Sequence, residues 1–237
     1  MFLCDFHSHI MPGADHGSSG IETTEKQIEI IKKSGVGSVV ATPHFYPHVH
    51  RTDSFLELRR QALEEMLSYI EKSSLALYLG AEVLLCEGME RMEGLSELCI
   101  EGTNVLLIEM PFAHWSEGLL VSLGKICKLG FDVIMAHIDR YPSEQTAKIF
   151  DFCEPKIQLN ADVFCDIWRR KKYLSQVKNG SVYALGSDFH GTKGYDKFTK
   201  ALKFLGSENT ERIMKNTEML LKDAKIYGAF SEKTETN

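Results

Sequence analysis

Seven short apolar runs of strand length, separated by helical segments, constrain the fold of this 237-residue chain more than any other feature. The runs are Phe2–Phe6, Ser38–Thr42, Ala76–Gly80, Val105–Ile108, Val133–Ala136, Ile157–Asn160 and Val182–Gly186. Helices are predicted at Ile21–Lys33, ending at Gly35, in a segment capped by Asp53, and at about 116–128, 143–152, 170–178, 194–205 and 208–222. Parallel strands need long connections, so this alternation predicts an α/β protein with parallel strands.

Polar residues at the ends of these runs favour a closed barrel over an open doubly wound sheet. Six of the seven runs stop next to a residue that can bind a metal ion, and the seventh ends in Asn160. In a β/α barrel the carboxyl ends of all strands converge on one mouth, whereas an open sheet spreads them along a line. With 43% apolar residues, the chain can bury one large core, so a single domain over residues 1–237 is expected.

Composition excludes several other classes of protein. The net charge of −6 argues against a nucleic-acid partner, and the basic run Arg169–Lys172 fits a solvated helix face. No apolar stretch reaches the length of a membrane span, so no membrane insertion is expected. Six scattered cysteines without a Cys-x-x-Cys pair predict reduced core thiols and a cytoplasmic location.

Nine side chains near the ends of the apolar runs form the candidate ligand set. They are His7, His9, His16, His44, Glu82, Glu109, His137, Asp188 and His190. Imidazole and carboxylate without thiolate suit manganese, iron or zinc better than calcium. Any one histidine of this kind is more often structural than a ligand, but a structural explanation would have to hold at six separate strand ends. Nine ligands are too many for one ion, and three ions would use them all.

Five segments resemble the polymerase-and-histidinol-phosphatase (PHP) superfamily. They are residues 5–13, 41–44, 80–82, 136–140 and 187–190, and the similarity runs from about residue 2 to about 222. Within that superfamily, the chain is most similar to the bacterial manganese-dependent tyrosine-protein phosphatases of capsule and exopolysaccharide operons. The resemblance implies a distorted (β/α)7 TIM-like barrel with three divalent ions at its mouth, manganese first and iron or zinc as alternatives.

The same resemblance implies how the ligands are shared. One ion would take His7, His9, Glu82 and Asp188, a second would take Glu82, Glu109 and His137, and a third would take His16, His44 and His190. The family's usual Asp-Asp-Gly reads Asp15-His16-Gly17 here, as in histidinol-phosphatase relatives. Imidazole therefore replaces a carboxylate at the third site, where a shift in metal preference is expected.

The implied reaction is hydrolysis of a phosphomonoester. Two ions about 3.5–4 Å apart would activate a bridging water for in-line attack on phosphorus. Arg140, His44 and Asp188 are assigned catalytic roles, and Arg140, Lys193 and His48 are assigned contacts with the substrate. The loop after His190 contains Lys193 but no arginine, a departure that weakens a phosphotyrosine assignment more than a phosphatase assignment.

Three functions stay open at this level. The first is a protein-tyrosine phosphatase acting on the kinase tail of a polysaccharide-export machinery. The second is a small-molecule phosphoesterase such as a histidinol-phosphate phosphatase, and the third is a non-catalytic metal-binding module. The oligomeric state is not predicted, and the polar tail after about residue 226 is expected to be frayed.

Overall fold

Ten β-strands and six α-helices follow one another along residues 2–228, the part of the chain that the computed structural model describes. The strands are β1 (Cys4–Ser8), β2 (Ser38–Ala41), β3 (His44–Phe45), β4 (Ala76–Leu79), β5 (Glu82–Leu84), β6 (Val105–Glu109), β7 (Asp132–Met135), β8 (Lys156–Asn160), β9 (Val182–Gly186) and β10 (Tyr227–Gly228). The helices are α1 (Ile21–Lys33), α2 (Thr52–Ser73), α3 (Glu117–Lys128), α4 (Ser143–Ile149), α5 (Arg170–Lys178) and α6 (Asp196–Leu221). Short 3₁₀ helices span Met89–Arg91, Leu95–Leu98, Ile138–Arg140 and Ala161–Cys165.

The strands form a distorted barrel built from two sheets, in the orders β1-β2-β4-β10 and β3-β5-β6-β7-β8-β9. All pairs are parallel except β10 with β4. β2 and β3 are one run interrupted at Thr42-Pro43, where proline lacks the N–H that a ladder needs, and β4 and β5 are interrupted at Gly80-Ala81.

The two sheets are not one continuous hydrogen-bonded cylinder, and a local bridge brings the first and last strands of the barrel together. The N–H of Asp188 donates to His7 O at 2.8 Å, and the N–H of His9 donates to Phe189 O at 3.1 Å. The end of β1 therefore lies beside the segment that follows β9, and the carboxyl ends of the strands surround one mouth. This is the barrel architecture predicted from the alternation of elements.

The core lies on both faces of the strands. β1, β2, β4 and β6 are buried at every position, as expected for parallel strands covered by helices. Phe6, Phe45, Phe164 and Phe198 are among the largest fully buried side chains. All six cysteines are free thiols, as predicted, but only Cys4 and Cys99 are buried in the core; three others are half-buried, and Cys165 is exposed. Within residues 2–228, no helix is long and apolar enough to cross a membrane.

All seven predicted runs are strands, but several details of the prediction were wrong. β3, β5 and β10 were not predicted. Asp53 lies inside the first turn of α2 instead of capping it, because the helix already begins at Thr52. The two helices predicted at about 194–205 and 208–222 are confirmed as the two parts of α6, which is kinked between them at Gly206 with φ 73°. The tail was predicted to fray from about 226, yet Tyr227 and Gly228 pair with β4; its remainder lies outside the described residues.

Candidate metal centre

The predicted ligands meet at the mouth of the barrel, and nearly all of them lie at strand ends. His7 lies in β1 and His9 directly follows it, His44 begins β3, Glu82 begins β5, and Glu109 ends β6. His137 follows β7, and Asp188 and His190 follow β9. Glu82 lies at the centre of this set, because its carboxylate is within 3.3 Å of four histidine rings.

Four donor atoms at the base of the mouth have the spacing of ligands around a single ion. His7 Nε2 lies 3.1 Å from His9 Nε2 and 3.1 Å from Glu82 Oε2, and His9 Nε2 lies 3.2 Å from Asp188 Oδ1. Ligands bound to one ion at about 2.0–2.2 Å are themselves roughly 3.0–3.6 Å apart. His7, His9, Glu82 and Asp188 could therefore share one cation, the grouping implied for the first site.

The remaining donors extend the cluster in two directions. His137 Nε2 lies 2.7 Å from Glu82 Oε1 and 3.6 Å from Glu109 Oε1, which is the grouping implied for the second site. His44 also groups with Glu82 and Glu109, and its Nδ1 lies 2.9 Å from Glu82 Oε2. On the opposite side, His44 groups with His9 and His190. His44 and His9 could therefore each bind at two neighbouring metal positions.

His16 is close to the cluster, but its placement differs from that of the other predicted ligands. Its exposed ring lies 5.0 Å from the ring of His44 and 4.5 Å from that of His190. It is nevertheless outside the three groups of donor atoms that lie within 4.8 Å of one another. Its role as a ligand of a third ion is therefore a proposal that rests on the resemblance and on this stacking.

Hydrogen bonds to the outer nitrogens orient the histidine rings as metal ligands require. His9 Nδ1 is 2.6 Å from Asp15 Oδ2, His7 Nδ1 is 3.2 Å from Gln158 Oε1, and His190 Nδ1 is 2.9 Å from Asp188 O. A proton held on each of these nitrogens leaves the lone pair of Nε2 free for the cluster. The buried Nε2 of His190 has no hydrogen-bond partner among the described residues.

Taken together, these contacts fit bound cations. Lone pairs of two imidazoles and a carboxylate oxygen would repel one another at 3.1 Å unless protons or metal ions lay between them. Glu82 Oε2, although buried and close to three rings, also lacks a hydrogen-bond partner among residues 2–228. Divalent ions would satisfy these atoms at once, whereas a purely structural cluster would leave them unpaired.

The ionisation of the carboxylates agrees with a site built for positive charge. Burial raises the pKa of Asp188, but the hydrogen bond from His9 and the charges of His7 and His9 outweigh it and leave that pKa well below its usual value. For Glu109, burial together with the negative charge of Glu82 raises the pKa to about 7. Within a single cluster, one carboxylate is thus held ionised by its imidazole neighbours and another still lacks compensating charge.

Backbone strain is also concentrated at the ligands. His137 has φ 29° and Asp188 has φ 52°, values in the left-handed region that residues other than glycine seldom adopt. The described chain contains one further residue of this kind, Ser74 at the end of α2. Such conformations persist where the surrounding contacts hold the residue for a purpose, and here they turn two ligands into the mouth.

A cavity of about 260 Å³ adjoins the cluster. Its lining includes Asp188 and His190 of the cluster, the cations Arg140, Lys193 and Lys197, and the carboxylate of Asp162. The guanidinium of Arg140 is 39% exposed and pairs with Asp188 Oδ2. The structure thus brings Arg140 and Lys193 to one cavity beside the predicted ligands, and their contact with a substrate stays a prediction.

His48, the third predicted substrate contact, is placed less directly. It is exposed on the loop after β3, with its ring 6.0 Å from that of Tyr46, which in turn stacks at 5.1 Å on His44. His48 is therefore on the rim of the mouth, two rings away from the ligands, and its contact with substrate stays a prediction.

The sequence analysis did not identify two residues that support the predicted ligands. Asp15 accepts the N–H of His9 Nδ1 and also the backbone N–H groups of His44 and Gly17. Gln158 accepts the backbone N–H of His137 at 2.6 Å and lies beside His7. A glutamine between the apolar residues Ile157 and Leu159 of β8 was a usable signal, since such residues are seldom buried without a specific partner.

We expect Asp15→Asn to weaken metal binding, because His9 would lose the ionised acceptor that fixes its ring. Loss of such outer contacts typically lowers metal affinity by roughly 10–100-fold. Titration of the metal-depleted protein with Mn²⁺ should show this shift, with activity returning at high metal. Asp53→Asn, on the exposed start of α2, is the matched control. Equal affinities in the two variants would contradict the role of Asp15.

His16 offers a second test of the cluster. A carboxylate donor is harder than imidazole, so His16→Asp should shift the preference toward manganese and away from zinc without abolishing activity. His16→Ala should instead weaken or empty that position. Metal content and metal-titrated kinetics of both variants would show this. If both variants match the parent with every metal, His16 is not a ligand.

Comparisons with known proteins agree with this arrangement. A family model described as capsular polysaccharide synthesis, CpsB/CapC, matches residues 3–223. The tyrosine-protein phosphatase CpsB of Streptococcus agalactiae serotype III (strain NEM316) is 23% identical over 240 residues, which cover 93% of this chain and 99% of that protein. The tyrosine-protein phosphatase CpsB of Streptococcus pneumoniae is 25% identical over 146 residues, covering 59% of this chain and 58% of that protein.

Solved structures show the same fold. A structure from the work on YwqE of Bacillus subtilis and CpsB of S. pneumoniae, described as metal-dependent tyrosine phosphatases, aligns with TM-score 0.77 at 22% identity, over 95% of this chain and 96% of that one. A TatD-like protein of Archaeoglobus fulgidus aligns with TM-score 0.53 at 16% identity, over 92% and 99% of the two chains. Since the family model spans nearly the whole described chain, the chain belongs to the CpsB/CapC capsular polysaccharide synthesis family.

Proposed function

We propose that this protein is a metal-dependent protein-tyrosine phosphatase of a capsule or exopolysaccharide machinery. One observation carries the proposal: a cluster of imidazole and carboxylate donors around Glu82 lies directly beside a cavity lined by Arg140 and Lys193. A phosphate dianion needs positive charge on more than one side, and this arrangement offers it. The related CpsB proteins carry the name of tyrosine-protein phosphatases, which agrees with this chemistry.

The metal requirement is proposed as up to three divalent ions, with manganese first and iron or zinc as alternatives. The donor groups described above would hold them, with Glu82 shared between neighbouring positions. Bound divalent ions would supply a water of lowered pKa as the nucleophile and would polarise the phosphoryl oxygens. The protein's own part is to fix the donors, to orient the substrate and to balance its charge.

Arg140 would stabilise the transferring phosphoryl group. Its guanidinium is tied to Asp188 on one side, while part of it stays exposed to the cavity. A guanidinium held in this way can donate two parallel hydrogen bonds to equatorial phosphoryl oxygens without first being reoriented. Lys193 adds a second positive charge at the cavity wall and compensates for the absence of an arginine in its loop.

Phosphotyrosine suits this site because its leaving group needs little protonation to depart. A tyrosinate has an ordinary pKa of about 10, far below that of an alkyl alcohol, so departure requires less proton transfer. His48 lies on the rim, two rings away from the predicted ligands, which is consistent with such a light requirement. Release of an alkyl alcohol would demand a proton donor close to the leaving oxygen.

The proposed partner is therefore a protein that carries phosphotyrosine, such as the kinase tail of a polysaccharide-export complex. The cytoplasm is the proposed location, in keeping with six free thiols. The deciding experiment compares Mn²⁺-supported turnover of a phosphotyrosine peptide with that of histidinol phosphate. We expect a higher kcat/KM for the peptide. A clear preference for histidinol phosphate would favour the small-molecule alternative, and no turnover of either substrate would leave only a metal-binding role.

A further inference from the structure

Large apolar side chains are exposed on loops that follow barrel strands at the mouth. Val49, Phe112, Ile167 and Trp168 are each at least 66% exposed, and Trp168 reaches 91%. The other tryptophan, Trp115, is buried and donates its indole N–H to Pro111 O at 2.8 Å. Exposed apolar groups of this size are unfavourable in water, and when they cluster beside a site they mark a surface that binds something.

The loop that carries Trp168 is attached to the turn that carries Arg140. Arg169 Nη2 lies 2.5 Å from Asp139 O and 3.1 Å from Asp139 Oδ2, and Lys172 Nζ lies 2.8 Å from Ser143 Oγ. Asp166 Oδ1 accepts the backbone N–H of Trp168 at 2.8 Å, which fixes the loop. The loop of Trp168 is therefore fixed to the turn that carries Arg140, a residue of the cavity wall.

The charge around Trp168 indicates which kind of peptide this surface would bind. Trp168 is followed by Arg169, Arg170, Lys171 and Lys172, a run of four positive charges in a chain whose net charge is −6. Arg140, Lys193 and Lys197 continue the positive surface along the cavity wall. The combination of an exposed aromatic ring with a basic run is complementary to an acidic chain that contains aromatic residues.

We propose that residues 168–172, here called the Trp168 patch, bind the stretch of a peptide substrate that flanks its phosphotyrosine. The favoured substrate carries an aromatic residue within a few positions of the phosphotyrosine and acidic residues around it. This inference rests on the proposed phosphatase function and adds a site for sequence preference to it.

The test compares Trp168→Ala with Leu129→Ala. Leu129 is 60% exposed and follows α3 at the opposite end of the barrel, so its truncation removes a similar exposed apolar group away from the mouth. Each protein is assayed with Mn²⁺ on para-nitrophenyl phosphate, on an acidic phosphotyrosine peptide with a second tyrosine three positions away, and on the same peptide with alanine there. The measured quantity is the ratio of kcat/KM on each peptide to that on para-nitrophenyl phosphate.

For the tyrosine-containing peptide we expect Trp168→Ala to lower this ratio by roughly 10-fold, as for loss of an aromatic anchor, mainly through KM. Leu129→Ala should keep the ratio of the parent. With the alanine peptide the difference between the parent and Trp168→Ala should disappear. Lys171→Glu should lower the ratio for the acidic peptide and not for a version whose acidic residues are replaced by lysine.

Several outcomes would overturn the patch as a peptide site. An unchanged ratio in Trp168→Ala, or an equal fall with the tyrosine and alanine peptides, would do so. So would a loss of binding to phosphatidylglycerol vesicles in Trp168→Ala without a change in the peptide ratio, since the patch would then contact lipid. The proposed function has its own readout: if the parent protein hydrolyses para-nitrophenyl phosphate but no phosphotyrosine peptide, both proposals fail.

Discussion

Removal of bound divalent metal by a chelator is expected to abolish phosphatase activity, and addition of Mn²⁺ is expected to restore it. Unpartnered donor atoms in the cluster support this expectation, because Glu82 Oε2 and His190 Nε2 lack hydrogen-bond partners among the described residues. Loss of the ions would also leave buried carboxylates short of positive charge, so the melting temperature should fall together with the activity.

The measurement is turnover of para-nitrophenyl phosphate alongside elemental analysis and thermal unfolding of the same samples. The same chelator saturated with Mn²⁺ beforehand serves as the control for direct effects on the protein. Full activity in a sample shown to be free of metal would refute the metal requirement. Restoration by zinc or iron but not by manganese would instead correct the proposed identity of the ion.

Arg140→Ala is expected to lower kcat by roughly 10²–10³, or about 2.7–4 kcal/mol, the usual loss for one preorganised group that stabilises transition-state charge. The melting temperature should change little. Arg140 is partly exposed, and Asp188 keeps its contacts with His9 and His7 when the guanidinium is removed. Arg140→Lys should recover only part of the rate, since an ammonium lacks the planar pair of donors.

Arg60→Ala is the matched control for this arginine. Arg60 is also partly exposed and paired with acidic residues, Glu57 and Glu64, but it lies on the surface of α2. Both variants should unfold at nearly the parent temperature, and only Arg140→Ala should lose turnover. Near-normal kcat in Arg140→Ala would show that Arg140 has no catalytic role. Lys193 would then become the candidate for stabilising transition-state charge.

The fold and the identity of most ligands follow from local features of the chain. Continuous apolar runs of strand length alternate with helical segments, and parallel strands that close into a barrel bring their carboxyl ends together whatever the details of packing. Residues such as His7, Glu82 and Asp188, each next to the end of a run, therefore had to meet at one mouth. The same local reasoning singled out Arg140, three residues after the strand-end His137, and its catalytic role stays a prediction.

Contacts between distant segments decided the rest. Asp15 and Gln158 support the histidines across the barrel, which no local pattern specifies. The short strands β3 and β5 exist only through pairing with their neighbours, and Asp53 lost its predicted capping role because α2 begins one residue earlier.

The two tryptophans show the same difference between what local sequence determines and what tertiary contacts determine. Periodicity cannot distinguish a buried ring from an exposed one, yet Trp115 is buried and Trp168 is 91% exposed. The order of apolar runs and strand-end donors along the chain thus determined the barrel and predicted the proposed metal chemistry. Tertiary packing alone decided which donors lie close enough to share an ion and which surface is left open to a partner, because both depend on distances between segments far apart in sequence.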